Sequence, residues 1–373
     1  MNIELFCQET GKIYEAEDRR WRSESGAPLD IRFVPEINLD QVKARPPTMW
    51  RYREALPIAE DRHIVSVHEG FTPLVPYEIE GKRLLLKQEQ LFPTGSFKDR
   101  GASLLISRAL ELGVDRVVED SSGNAGAAVA AYAARAGIEC DIYVPDATSP
   151  AKLAQIERYG ARLHKIPGNR EKTAEAAREA AEDHFYASHV WNPYFFQGTK
   201  TFAFEIWEQL GGRMPDAVIL PAGHGTLLIG AFLGFQDLLM LGYIDCLPKL
   251  IAVQAANCAP LYRMWRDGLK AVPTIEDSET LAEGIAITRP TRAHQMLEIL
   301  RATNGEVIVV SESEIENALL QICRQGLYVE PTSATAIAAW MKYPGTEGET
   351  VVAPLTGHGL KSTEKMLKLG KTG

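Results

Sequence analysis

The sequence has little of what membrane, secreted or nucleic-acid-binding proteins need. Its apolar runs are shorter than a membrane span, and its start, "MNIELFCQET", has no basic segment followed by an apolar one. The net charge of -9 argues against the clustered basic residues that nucleic acids and anionic membranes require. We therefore expect neither a nucleic-acid partner nor a membrane partner.

Cysteine is scarce as well. An odd, scattered set of five does not suit a disulfide framework, so we predict free thiols in a reducing cytoplasm. These residues are Cys7, Cys140, Cys246, Cys258 and Cys323. Tandem repeats and low-complexity tracts are also missing, and 45% of the residues are hydrophobic. A chain of 373 residues with this composition predicts a globular protein of two domains.

From about Arg83 onward, short apolar runs alternate with stretches of helical periodicity. Strands are predicted at "RLLLK", "RVVED", "CDIYVP", "DAVILPAG", "KLIAVQA", "EVIVVS" and "TVVAPLTG", with an earlier one near "TPLVPY". Most of the helices between them end in Gly, the usual residue after a helix. This alternation predicts an α/β fold with mainly parallel sheets.

Four loops that follow predicted strands carry the unusual residues, and ligands of parallel sheets bind beyond the carboxyl ends of strands. In "PAGHGTLLIG", Gly223 and Gly225 let backbone N–H groups converge at a helix start and bind a phosphate, although a tight turn alone would need the same glycines. In "PTGSFKDRG", Lys98 either is a surface residue or, in a partly desolvated pocket, forms a Schiff base with an aldehyde.

The other two loops offer polar partners for a ring and a carboxylate. In "SSGNAGAA", Ser121 and Ser122 could bind a carboxylate at a helix start and Asn124 could donate to a ring oxygen, or the serine could simply cap the helix. In "PLTGHGLKS", the Thr356 hydroxyl could face a ring nitrogen or act as a cap. A reactive lysine, a phosphate-binding loop and ring partners together describe pyridoxal phosphate catalysis.

These motifs are similar to those of the fold-type II pyridoxal-phosphate enzymes, the tryptophan synthase β-subunit superfamily, and most of all to threonine synthase. The blocks "EGFTPLVPY", "PTGSFKDRGAS", "SSGNAGAAVAAYAARAGI", "QGTKTFAFEIWEQLG" and "PLTGHGLK" follow the order of that family from about Glu69 to Lys361. The resemblance implies two open twisted sheets flanked by helices, with the cofactor pyridoxal 5'-phosphate in a cleft between domains. It also implies a small amino-acid substrate and a homodimer.

The resemblance further implies domain boundaries. A small domain with the asparagine loop would cover residues 96–189, and a large cofactor-binding domain would cover 41–95 and 190–373. Residues 1–40 would form a degenerate ribbon-like arm.

The resemblance also implies a role for each site residue. Lys98 would bind the cofactor covalently and transfer protons, with Phe97 behind the ring. Asn124 would hydrogen-bond the ring hydroxyl oxygen. Thr356 would face the pyridine nitrogen, where a neutral hydroxyl does not keep a proton on the nitrogen as a carboxylate would. The substrate carboxylate would bind Ser121, Ser122 and nearby amides. The loop around the cofactor phosphate would consist of Gly223, His224, Gly225, Thr226 and Leu227.

The amino-terminal segment departs from the family. Many threonine synthases begin with a zinc ribbon held by two pairs of cysteines. Here Cys7 is the one thiol at those positions, and Thr10, Ser23 and Ser25 occupy the others. One thiolate does not make a structural zinc site, so we predict no metal.

The substrate end departs as well. Threonine synthase binds O-phosphohomoserine and needs a second anion site, but Phe195 stands where the family has Arg, and His189 and Val190 replace an Asn-Ser pair. Ala125 stands where the family usually has Thr or Ser. A buried phosphate without a cation would cost several kcal/mol. We therefore predict a lyase or synthase that performs β/γ-elimination or replacement on a small amino acid without a phosphate.

Alternatives remain open. A threonine synthase with an unusual phosphate site would use His189, Lys200 or Arg289. A threonine, serine or diaminopropionate ammonia-lyase is favoured by "LAEGIAITRP", in which Glu283 either lies near the substrate or is solvated. Glu330 opens a helix near the cofactor in family members, and equally complements a helix dipole. A cofactor-binding regulatory homologue would be the non-enzymatic alternative.

Overall fold

The computed structural model describes residues 3–79, 81–275, 279–346, 348–367 and 369. The chain divides into two compact units. Unit 1 contains Met1–Phe71 and Lys98–Thr201, and unit 2 contains Thr72–Phe97 and Phe202–Gly373.

The strands of the described residues, in chain order, are β1 (Glu4–Cys7), β2 (Ile13–Glu15), β3 (Leu29–Arg32), β4 (Leu74–Ile79), β5 (Lys82–Lys87), β6 (Arg116–Glu119), β7 (Glu139–Pro145), β8 (Arg162–Ile166), β9 (Phe185–Tyr186), β10 (Ala217–Pro221), β11 (Lys249–Ala255), β12 (Glu306–Val310) and β13 (Val351–Pro354). The α-helices are α1 (Leu39–Ala44), α2 (Lys98–Glu111), α3 (Asn124–Ala136), α4 (Pro150–Arg158), α5 (Arg170–Ala180), α6 (Pro193–Thr199), α7 (Thr201–Gln209), α8 (Thr226–Met240), α9 (Pro260–Asp267), α10 (Ala293–Ala302), α11 (Glu312–Arg324), α12 (Pro331–Lys342) and α13 (Thr363–Met366). Short 3-10 helices cover Met49–Ala55, Asp61–His63, Glu89–Leu91, Glu283–Ile285 and Gly359–Ser362.

Unit 1 is built on a parallel sheet with the strand order β8-β7-β6-β9. Its helix α3 is rich in alanine, and Ala127, Ala128 and Ala133 are buried in the core of this unit. Small side chains let a helix pack closely, which explains why this apolar stretch forms a buried helix. The sequence predicted β6 and β7 but not β8, an edge strand whose side chains are at best half-buried, nor β9, which is two residues long.

The first residues of the chain belong to unit 1. Strands β2, β1 and β3 form an antiparallel sheet in that order, and Leu5 and Leu29 are buried in the same core as α2 and α3. Met49 and Trp50 pack against Leu104 of α2. The sequence assigned residues 41–71 to the larger domain, but hydrophobic burial keeps them in unit 1. The same holds for residues 190–201, because Tyr194 and Phe195 of α6 join this core.

The positions of the lost zinc ligands lie in this amino-terminal sheet and the turns that follow it. Burial raises the pKa of the Cys7 thiol, but hydrogen bonds with Thr10 and Ser23 outweigh the burial and hold that pKa below its usual value. The hydroxyl oxygens of Ser23 and Ser25 are 2.8 Å apart. Hydroxyl hydrogen bonds therefore satisfy the thiol at these positions.

Unit 2 is built on a sheet with the strand order β12-β11-β10-β13-β5-β4. All neighbours are parallel except β4, which pairs with β5 in the antiparallel direction at the edge. The strands predicted at these positions are confirmed, including the early one near "TPLVPY". Since β10, β13 and β5 are adjacent and parallel, the loops that follow them leave the sheet at the same edge.

A buried ion pair stands at the carboxyl end of β5. The Lys87 ammonium lies 2.7 Å from the Glu205 carboxylate of α7, and both side chains are fully buried. The ammonium also donates to the carbonyl of Thr72 at 2.5 Å and to the side chain of Gln209 at 2.9 Å. These bonds tie β5, α7 and the start of unit 2 together.

In the part of the chain that the structure describes, every helix is too short or too polar to cross a lipid bilayer.

The Lys87→Met variant should unfold more easily than the parent protein. Methionine preserves the length of the side chain but leaves the Glu205 carboxylate buried without its cation, which typically costs about 3–5 kcal/mol. The free energy of unfolding is measured by urea denaturation followed by circular dichroism. The matched control is Lys82→Met at the exposed start of β5, which should stay within about 0.5 kcal/mol of the parent. Equal urea midpoints for the two variants would show that this ion pair does not contribute the predicted free energy of unfolding.

Candidate active site

In unit 2, the glycine loop leads from β10 to α8. Gly225 is the N-cap of α8 and has a left-handed backbone with φ of 78°. A Cβ on Gly225 would stand 2.2 Å from the sulfur of Met296, and a Cβ on Gly223 would stand 2.9 Å from the Cα of Ile285. These two glycines are therefore required for the path of the loop. Within the described residues, no side chain caps this end of α8.

Thr356 follows β13 and is buried. Its hydroxyl donates to a carboxylate oxygen of Glu330 at 2.8 Å and lies 3.0 Å from the Ser333 hydroxyl. Its carbonyl accepts a hydrogen bond from the Phe97 N–H at 3.1 Å. Hydrogen bonds thus hold Thr356, Phe97 and Glu330 together in unit 2.

The residues before Lys98 pair with the residues after β13. Ser96 forms a bridge with Gly357, and the His358 N–H donates to the Gly95 carbonyl at 2.9 Å. Through this pairing, the backbone of the lysine motif and the backbone of the threonine loop fix each other.

Glu283 lies at the surface of unit 2, in the 3-10 helix next to the glycine loop. Its carboxylate is 3.1 Å from the Lys365 ammonium, and the side chain is 45% exposed. The adjacent Gly284 N–H donates to the Thr332 hydroxyl at 3.1 Å. The side chain is thus exposed, while the segment that carries it packs against Gly223.

In unit 1, Lys98 is the first residue of α2 and is half-buried. Its ammonium lies 5.6 Å from the centre of the Phe195 ring. The asparagine loop follows β6, and Asn124 begins α3 after Gly123, where no described side chain caps the helix.

The asparagine loop is tightly packed. The Gly123 N–H donates to the Ser121 hydroxyl at 3.3 Å, Ala125 is buried and Ser122 is half-buried. A Cβ on Gly126 would stand 1.9 Å from the Ser121 carbonyl oxygen, so glycine is required at that position.

Phe195 is fully buried in unit 1. Its ring lies against the backbone of α2, where a Cβ on Gly101 would come within 2.3 Å of the ring. The His189 ring meets it edge to face at a centroid distance of 6.0 Å. The aromatic side chain therefore fills space between the lysine helix and His189.

His189 is paired with a buried carboxylate. Its Nδ1 lies 2.7 Å from an oxygen of Glu119, the last residue of β6, and Glu119 is fully buried. Burial, and then the neighbouring Asp120, raise the pKa of Glu119 well above its usual value. The second carboxylate oxygen of Glu119 has no hydrogen-bond partner among the described residues.

Sequence reasoning missed Glu119 and Ser333. Glu119 was treated as the end of a strand in "RVVED", although an acidic residue after two buried valines is itself unusual. Ser333 lies in "VEPTSATAIAA" one turn after Glu330, a spacing that places both side chains on one face of the helix start.

Comparisons with known proteins agree with this description. The family model for pyridoxal-phosphate dependent enzymes matches residues 65–357. The chain is 34% identical over 380 residues to the threonine synthase of Methanocaldococcus jannaschii, an alignment that covers 97% of this chain and 94% of that protein. It is 37% identical over 335 residues to the threonine synthase of Mycobacterium bovis, with coverage of 87% and 91%.

The fold is also similar to that of solved structures. The crystal structure of the T.th. threonine deaminase superimposes with a TM-score of 0.67 at 27% sequence identity. This similarity covers 86% of the present chain and 98% of the deaminase.

The Glu119→Gln variant should change how stability depends on pH. A carboxyl whose pKa is raised in the folded state binds its proton more tightly there than in the unfolded chain. The parent should therefore lose about 1.4 kcal/mol per pH unit relative to the variant as the pH rises above about 4.3, until Glu119 ionises in the folded protein.

Urea denaturation between about pH 5 and pH 7 measures this difference. The exposed Glu157 of α4 provides the control, because Glu157→Gln removes one carboxylate without removing a buried one. Parallel pH profiles for the parent and Glu119→Gln would show that Glu119 is ionised in the folded protein.

Proposed function

The chain belongs to the family of pyridoxal-phosphate-dependent enzymes and is a lyase of that family, and we propose that it performs elimination or replacement at the β- or γ-carbon of a small amino acid without a phosphate group. The proposal that the substrate has no phosphate rests on the surroundings of Phe195. The lysine helix, an aromatic ring and the Glu119–His189 pair meet where a phosphate site would need cations.

The residues of this chain fit the cofactor. The start of α8 has a glycine N-cap and no capping side chain within the described residues, so its backbone N–H groups suit a phosphate. The Thr356 hydroxyl is a buried polar group next to Phe97, as a ring nitrogen and a ring face would require. Lys98, which is half-buried, supplies the amine for covalent attachment to an aldehyde.

When bound, the cofactor supplies an electron sink for the bond that breaks at the α-carbon of the substrate. In the proposed mechanism, the Nζ of Lys98 holds the cofactor and then carries the α-proton. Backbone amides at Gly223–Leu227 bind the cofactor phosphate, and Asn124 orients the ring through its hydroxyl oxygen. Ser121 and Ser122 orient the carboxylate of the substrate.

The contacts of two basic side chains support a substrate without phosphate. His189 is hydrogen-bonded to the buried Glu119 at 2.7 Å. Lys200 is buried with its ammonium 4.5 Å from the centre of the Phe33 ring. Two of the three cations that an unusual phosphate site would use are thus engaged with other groups in unit 1.

A threonine synthase that acts on O-phosphohomoserine is the second candidate. The specific observation in its favour is that both curated relatives described above are threonine synthases, at 34% and 37% identity over most of their length. The two candidates differ in whether inorganic phosphate is released.

We also propose that the enzyme works as a homodimer, as the resemblance implies, and that it is located in the cytoplasm. The cysteines of the described residues are free thiols, which suits a reducing compartment. Sedimentation of the purified protein tests the dimer.

The Lys98→Ala variant should lose covalent attachment of the cofactor. Borohydride reduction of the parent should fix the cofactor on the peptide that contains Lys98, and the variant should show no such label and a turnover lower by about 10²–10⁴-fold. Lys165→Ala, at an exposed position of β8, controls for the loss of one lysine. A Lys98→Ala enzyme as fast as the parent would refute the role of Lys98.

A substrate screen tests the proposed function. Enzyme saturated with pyridoxal phosphate is incubated with threonine, serine, diaminopropionate, O-acylated homoserines and O-phosphohomoserine. We expect ammonia and a keto acid, or a replacement product, from a substrate without phosphate. Rapid release of phosphate from O-phosphohomoserine would establish the second candidate instead.

A further inference from the structure

Unit 1 contains a cavity whose described lining residues all differ from those proposed for the cofactor and the substrate. Its volume is about 340 Å³, within the range of about 300–1,000 Å³ that is typical of small-molecule sites. We propose that this cavity binds a free amino acid with an aliphatic side chain, at a second site besides the active site. The proposal goes beyond the proposed function and does not depend on it.

One wall of the cavity is apolar. Val34, Ile58 and Ala59 contribute to it. Ile58 is almost completely buried and belongs to the same hydrophobic cluster as Leu104 of α2, whereas Val34 is 75% exposed. An aliphatic side chain in the cavity would cover part of Val34, and removing apolar surface from water favours binding.

The carboxylates that line the cavity are not all neutralised. Asp61 accepts from the Nε of Arg53 at 2.6 Å. Glu54 forms a bidentate pair with the guanidinium of Arg45, at 2.5 and 2.7 Å. Glu36 also lines the cavity, and its carboxylate has no hydrogen-bond or ion-pair partner among the described residues. An ammonium group in the cavity would therefore meet a carboxylate that no other cation compensates.

Arg53 supplies the complementary donor. Its side chain is only 11% exposed. Besides the contact of Nε with Asp61, its Nη1 donates to the Leu56 carbonyl at 3.4 Å. Its Nη2 has no hydrogen-bond partner in the part of the chain that the structure describes. Because a guanidinium forms strong, charge-assisted hydrogen bonds with a carboxylate, Nη2 is the group that would bind the carboxylate of a ligand.

This combination of groups selects a zwitterion. A phosphate is disfavoured, because three carboxylates and one guanidinium line the cavity. A simple amine would leave the Arg53 donor without an acceptor, and a simple carboxylate would leave Glu36 without a cation. Leucine carries an ammonium group, a carboxylate and an aliphatic side chain, and so matches all three features of the cavity.

The cavity is remote from Lys98. The Ala59 N–H donates to the Glu111 carboxylate at 2.7 Å. Glu111 is the last residue of α2 and Lys98 is the first. A helix of 14 residues is about 21 Å long, so the cavity lies at the opposite end of α2 from the reactive amine. Binding in the cavity can therefore be distinguished from binding of an amino acid in the active site.

Hydrogen–deuterium exchange of the full chain, loaded with pyridoxal phosphate, locates the ligand. Leucine is added at about 10 mM, ten times a Kd of about 1 mM. We expect slower exchange in peptides that cover residues 33–37 and 53–61. Unchanged exchange in these peptides would overturn the proposal. Slower exchange confined to peptides of the asparagine and glycine loops would place leucine in the active site and would also overturn it.

Two analogues of leucine test the choice of a zwitterion. Isoamylamine is leucine without the carboxylate, and 4-methylpentanoate is leucine without the ammonium group. Each loses one charge-assisted contact, so each should protect the same peptides with an affinity lower by about tenfold or more. An analogue that binds as tightly as leucine would show that the cavity does not recognise an amino acid.

Variants at exposed positions of the cavity complete the test. Glu36→Gln removes the uncompensated carboxylate, and Val34→Asp places a charge on the apolar wall. Each should weaken the binding of leucine by about tenfold. Two matched controls make the same kinds of change elsewhere in unit 1, at the exposed Glu157 (Glu157→Gln) and at Ile13, which is 51% exposed (Ile13→Asp). Unchanged affinity in either cavity variant, or equal weakening in its control, would overturn the proposal.

Discussion

The parallel pairing of β10, β13 and β5 is the constraint on which the rest of unit 2 depends. Because these strands are neighbours and run in one direction, the glycine loop, the threonine loop and the lysine motif leave the sheet at one edge. The pairing of residues 95–97 with 356–358 then extends this contact beyond the strands. The buried ammonium of Lys87 stabilises the end of β5, from which the lysine motif departs.

In each unit, one buried carboxylate is paired with a polar side chain that the sequence analysis singled out. In unit 1, Glu119 is hydrogen-bonded to the His189 imidazole, and burial raises its pKa. In unit 2, Glu330 at the N-terminus of α12 accepts a hydrogen bond from the Thr356 hydroxyl. In each case the carboxylate determines what the neutral side chain beside it can donate or accept.

Much of the fold was predictable from the sequence, and less of the site. Apolar runs such as that of β10 are buried throughout, so periodicity and composition suffice to find them. β8 and β9 were missed because one is a partly exposed edge and the other is too short to show a period. Motifs located Lys98, Asn124 and Thr356 in the chain, but the pairing of Glu119 with His189 joins residues 70 positions apart, which no local pattern reveals.

The contact between Phe195 and Gly101 has a consequence for how this chain can diverge. The ring occupies the space above a glycine of the helix that Lys98 begins, so residue 195 and residue 101 are not independent positions. A substitution that enlarges residue 101 is compatible only with a smaller or displaced side chain at 195. Changes at residue 195 are therefore coupled to the lysine helix, because a smaller side chain there would leave an empty space against Gly101 that a second change must fill.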